Sequence, residues 1–146
     1  TSCDETAAAL LEFAPGERPR VLGEVVSSQV DLHARYGGVV PELAAREHLR
    51  NLPLVVGELW SRSGLDLGAA DAVGVTAGPG LKGCLLTGMS FAEGLALGRG
   101  IPLLPVNHIE GHLLAPLLDH PDLDPPYLAL VVSGGHTELV RVEAVG

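Results

Sequence analysis

The chain has 146 residues, of which 47% are hydrophobic and 18% charged, and it carries a formal net charge of −9. That balance excludes an intrinsically disordered segment and fits a chain that buries a core, as one compact domain or one lobe of a larger protein. Nine cations against eighteen acids argue against a nucleic-acid clamp on this chain alone, because phosphate binding needs clustered positive charge.

Thr1 to Thr6 (Thr-Ser-Cys-Asp-Glu-Thr) reads as a polar turn, followed by a strand over Ala7 to Phe13 that Pro15-Gly16 ends. A polar turn is an unusual opening, so a strand before Thr1 is expected to be missing. Val21 to Val30 alternates as a second strand. Glu42 to Ser61 has apolar residues at helical spacing (Ala45, Leu49, Leu52, Val56, Leu59, Trp60), with Pro53 inside the run predicting a kink or two shorter helices. Asp71 to Thr76 is a short strand, Ala77 to Gly80 a tight turn, and Leu81 to Leu97 a helix stopped by Gly98 and Gly100. Ile101 to Val106 is a strand whose prolines suit an edge, and Asn107 is placed to cap a helix from His108 to about Leu118. A polar, proline-rich linker leads to two strands, Tyr127 to Val132 and Thr137 to Val142. Alternating strands and helices predict an α/β fold with a mixed sheet flanked by helices. The predicted division is a first lobe over 1–120, a linker over 121–126, and the opening hairpin of a second, similar lobe over 127–146.

No apolar run reaches the roughly 18 residues that cross a bilayer, and no basic start leads into a signal-like core. Cys3 and Cys84 are far apart and form no CxxC pair. The expectation is a soluble protein of the reducing cytoplasm, without a disulfide framework or a membrane partner.

The sharpest chemical feature is His108-Ile109-Glu110-Gly111-His112. Residues four apart share a helix face, so both imidazoles can reach one metal ion. Glu110 lies about 200° around the helix from His108, unlike the base of an HExxH peptidase. Two ligands leave a site incomplete, and the pair alone is equally consistent with two incidental histidines. His33, His48, His120 and His136 do not stand out as a third ligand by spacing. Val131-Val132-Ser133-Gly134-Gly135-His136-Thr137 places paired glycines between strands, where backbone N–H groups can approach an anionic ligand or simply form a hairpin turn. Thr76 to Gly83 joins a strand to a helix N-terminus, but matches neither standard phosphate motif. Asp4 and Glu5 can hold a metal or a water, or be merely solvated. Tyr36 to Glu42 reads as a glycine loop entering a helix at Pro41.

Taken together, these segments resemble the bacterial TsaD family. The resemblance rests on Thr1 to Thr6, Ser28 to Val30 with Leu32-His33, Tyr36 to Ala44, Thr76 to Leu81, His108 to Ala115 and Val132 to Thr137. It implies an actin-like ATPase (ribonuclease-H-like) lobe and a cleft between two such lobes. It also implies transfer of threonylcarbamoyl from threonylcarbamoyl-AMP to the N6 of the adenosine beside the tRNA anticodon. By the same resemblance, His108 and His112 bind iron or zinc with an aspartate from beyond this chain. Val131, Val132, Ser133, Gly134 and Gly135 bind the adenylate, and the partners are TsaB-like and TsaE-like proteins, with TsaC-type enzymes making the adenylate. Family members carry a strand before the opening turn and a further lobe, so this chain alone is expected to be inactive. The competing readings are a metal-dependent glycoprotease, a non-catalytic TsaB-like scaffold and a sugar-kinase-like ATPase.

Overall fold

The computed structural model describes residues 1–14, 17–120, 122–132 and 137–144. Strands β1 (Glu5–Glu12) and β2 (Arg20–Ser28) form an antiparallel pair, from Glu5 opposite Ser28 to Glu12 opposite Arg20. The register slips once between Leu10 and Leu11. A short helix, α1 (Val30–Ala34), leads through the glycine loop to α2 (Pro41–Ser63). Strands β3 (Val73–Gly78) and β4 (Leu103–Asn107) pair in parallel across α3 (Lys82–Arg99), the crossover expected of a βαβ unit. Then come α4 (His108–Leu114), α5 (Pro116–Asp119) and the antiparallel hairpin β5 (Tyr127–Val132) and β6 (Thr137–Val142). Among the described residues each pair is a separate two-stranded sheet.

The core sits where α2 covers the β1–β2 pair. Val25, Val55 and Leu59 are buried together, with Ala8 and Leu10 against them. The α2 stripe that faces inward is Ala44, His48, Leu52, Val55 and Leu59. This corrects the sequence-derived stripe: Leu49 is 67% exposed, and a histidine occupies the buried position beside it. Of the two outcomes expected at Pro53, a division into two shorter helices is not seen. The helix runs unbroken for 23 residues, losing one backbone bond at Pro53 while Leu52 and Val55 stay anchored in the core. Small residues let α3 approach α2: Ala44 and Cys84 are fully buried, and a Cβ added at Gly83 would lie 3.2 Å from that of Ala45.

Gly100 ends α3 in the left-handed conformation at φ +67°, which glycine adopts without steric cost; Gly98 lies inside the helix rather than stopping it. The helix expected over 108–118 is interrupted at Ala115, because Pro116 has no N–H to continue the ladder and instead begins α5. Arg18, in the β1–β2 connection, donates to the Leu117, His120 and Leu123 carbonyls and to Asp124 Oδ1 at 2.8–3.3 Å. That single side chain ties the segment after α5 to the first hairpin. On the β5–β6 hairpin, Leu128, Leu130, Val132 and Leu139 are each at least 65% exposed.

Candidate functional site

Asn107 closes β4 and caps α4, its Oδ1 accepting from the Ile109 and Glu110 amides at 2.9 and 3.2 Å. The cap starts the helix one residue before His108, so His108 and His112 stack one turn apart. Their ring centroids are 4.5 Å apart and their Nε2 atoms 3.3 Å apart. Two nitrogens bound to one tetrahedral ion at 2.0–2.1 Å would be separated by about 3.3–3.4 Å. That spacing suits a hydrogen bond between the two rings and is also compatible with two imidazole ligands of one ion such as iron or zinc. His112 is exposed and His108 half-buried, which leaves the site open on one side. Among the described residues no group of three or more His, Cys, Asp and Glu gathers to complete a metal site.

The opening turn meets this pair. Ser2 Oγ lies 3.2 Å from His108 Nε2. Three successive carbonyls of the turn are each held by a different part of the chain. The Leu81 amide donates to Ser2 O at 2.8 Å, His48 Nε2 to Cys3 O at 2.9 Å, and the Gln29 amide to Asp4 O at 3.0 Å. Gly80 makes the first of these possible: a Cβ there would lie 2.7 Å from Ser2 O. The predicted tight turn at Ala77 to Gly80 thus serves to seat the Thr1–Asp4 segment.

Behind the turn runs a buried polar chain that sequence reasoning did not find. Thr6, Gln29, His33 and His48 are all at most 4% exposed, and their bonds fix every tautomer. The Val40 amide donates to His33 Nδ1 (3.3 Å), so His33 Nε2 carries the proton and donates to Gln29 Oε1 (3.1 Å). Gln29 Nε2 then donates to Ala44 O (3.4 Å) and His48 Nδ1 (3.3 Å). The Thr6 hydroxyl donates to the same Nδ1 at 2.8 Å. His48 is left with its proton on Nε2, pointing at Cys3 O. Its only sequence signal was helical phase, four residues after Ala44 and four before Leu52.

Burial holds His48 neutral and moves its pKa below the ordinary 6.5; Asp4 opposes the shift, while His33 adds to it. Above about pH 6.5 the imidazole is neutral folded and unfolded, so its contribution is constant. Below that value the unfolded chain takes the proton first, and stability falls as pH drops toward the depressed folded value. Urea midpoints are expected to hold between pH 8 and 7 and to decline from pH 6.5 to 5, and the decline should shrink in His48→Gln. Burial also raises the thiols, Cys3 to about 11 and Cys84 upward, which disfavours the thiolate at neutral pH.

Of the remaining predicted site residues, Val131 pairs opposite Glu138, and Val132 opposite Thr137 with its side chain exposed. Ser133, Gly134 and Gly135 lie outside the described residues. Cations are mostly neutralised: Arg18, Arg20, Arg46, Arg50, Arg62 and Arg141 each pair with a carboxylate. Among the described residues no helix is long and apolar enough to cross a membrane.

A helix-covered antiparallel pair, a parallel βαβ unit and a new hairpin define the class as an α/β lobe of actin-like ATPase fold, here carrying a histidine pair. The YeaZ structure from Pseudomonas aeruginosa matches with a TM-score of 0.60 at 21% identity, covering 99% of this chain and 63% of that one. That likeness establishes the fold. The model of the family TsaD, tRNA N6-adenosine threonylcarbamoyltransferase, matches residues 20–146, and the chain belongs to that family. Proteins named tRNA N6-adenosine threonylcarbamoyltransferase from Aromatoleum aromaticum and Pelobacter propionicus are 53% and 55% identical over all 146 residues. The chain spans 42% of the length of each.

Proposed function

We propose that this chain supplies the metal-holding lobe of a tRNA N6-adenosine threonylcarbamoyltransferase. The observation that carries the reading is the His108–His112 Nε2 separation of 3.3 Å in a member of this transferase family. His108 and His112 would hold iron or zinc, with further ligands from outside the described residues. The ion supplies Lewis-acid polarisation of a carbonyl oxygen. The α4 helix and its Asn107 cap hold both imidazoles on one face, with Ser2 Oγ 3.2 Å from His108 Nε2. The segment Val131 to Gly135 binds threonylcarbamoyl-AMP in this reading. The N6 amine of the adenosine beside the anticodon attacks the carbamoyl carbon, the bond from that carbon to the phosphate oxygen breaks, AMP leaves with its electron pair, and the N6 proton is released to solvent. Because six of the nine cations are already ion-paired, tRNA binding draws its positive surface from beyond this chain. TsaB-like and TsaE-like proteins are the proposed partners; the YeaZ-like fold supports the first. The free cysteines Cys3 and Cys84 suit a reducing, cytoplasmic location.

The test uses this segment in a chain extended to the length of its relatives, with tRNA and threonylcarbamoyl-AMP. His112→Ala is expected to lose stoichiometric iron or zinc and to cut transfer by more than about 100-fold, the upper range for losing a residue merely adjacent to a ligand. Full metal content and transfer in His112→Ala would refute the reading.

A further inference from the structure

The geometry points to His48 as a positioning residue for the histidine pair: it holds the Cys3 carbonyl, and through the turn it sets the Ser2 hydroxyl against His108 Nε2. The inference rests on the reading of His108 and His112 as metal ligands. Three observations on separate elements support it. His48 is fully buried on α2, yet its outward nitrogen is spent on the turn, at 2.9 Å from Cys3 O. Its inward nitrogen receives both the Thr6 hydroxyl and Gln29 Nε2, so the ring can neither flip nor tilt without stranding a buried donor. The residue next to Cys3 is Ser2, whose Oγ touches the very nitrogen that faces His112.

The other two anchors of the turn are backbone amides, those of Leu81 and Gln29. His48 is therefore the one side chain in the set of three, and the one a substitution can remove. In the metal-free chain Ser2 Oγ and His108 Nε2 lie within hydrogen-bond distance. A metal on Nε2 would take that nitrogen from Ser2, so the turn holds a hydroxyl that competes for the ligand nitrogen.

Two variants separate positioning from mere folding. Asparagine places a polar atom where His48 Nδ1 sits, meeting Thr6 and Gln29, but is too short to reach Cys3 O. Glutamine reaches Cys3 O with an N–H. In a chain extended to the length of its relatives, cobalt titration followed by its visible absorption is expected to show tighter binding for His48→Asn, because the hydroxyl is no longer held on the ligand nitrogen. Ser2→Ala should shift in the same direction, and folded His48→Gln, which keeps an N–H on Cys3 O, should shift less. Equal affinity in folded His48→Asn and wild-type protein would overturn the inference. A second readout needs no metal: the His108 ring resonances at fixed pH. They should move in His48→Asn toward their position in Ser2→Ala, and stay put in His48→Gln. If the wild type binds no cobalt, the metal reading fails, and the ring resonances alone then decide whether His48 positions Ser2; unmoved resonances in His48→Asn refute it.

Discussion

His48→Leu is expected to lower the unfolding free energy by about 3–9 kcal/mol, because it orphans three buried or half-buried groups at about 1–3 kcal/mol each. These are the Cys3 carbonyl, the Thr6 hydroxyl and one N–H of Gln29, all now satisfied by one imidazole. A native domain holds only about 5–15 kcal/mol in total, so the variant should be largely unfolded at 37 °C. His48→Asn orphans mainly the Cys3 carbonyl and should lose about 1–2 kcal/mol. Thr6→Val, which keeps the volume and removes one donor, should lose about 1 kcal/mol. Urea denaturation at pH 7.5 measures all three. A leucine variant as stable as the wild type would mean that the network merely tolerates burial.

Leu59→Ala should cost about 2–5 kcal/mol, the range for emptying a packed leucine site. Leu59 is 3% exposed and buried with Val25 and Val55, where the strand pair and the helix meet. Its methyl carbon lies 3.4 Å from the position a Cβ would take at Gly23, so little room exists for neighbours to collapse into the hole. Leu49→Ala, on the same helix but 67% exposed, should change stability by less than about 0.5 kcal/mol. The two leucines have equal hydrophobicity and helix propensity, so the contrast isolates the helix phase. Comparable losses at both positions would contradict the packing of α2 described above.

These contrasts mark where sequence reasoning succeeded and where it stopped. The hairpin at Tyr127–Val132 and Thr137–Val142 was placed to the residue, because period-two patterning and flanking turn residues are local signals. The Asn107 cap and the Gly100 stop were legible for the same reason. At Pro53 the two-helix alternative failed, since the local cost of one lost bond is outweighed by core anchoring on both sides. Leu49 was assigned to the buried face because a phase error of one residue on α2 is invisible to a count of apolar positions.

At the site, spacing alone determined that His108 and His112 share a helix face, because four residues make about one turn. The sequence by itself therefore determined most of the elements, the shared face of the two histidines and the family resemblance. Only the tertiary structure decided that Ser2 meets His108 across 106 residues, and that His48, Gln29, His33 and Thr6 form one buried chain. Such contacts depend on how helices and strands pack rather than on any local rule. A buried histidine carries the same letter as an exposed one, and only its partners reveal which it is.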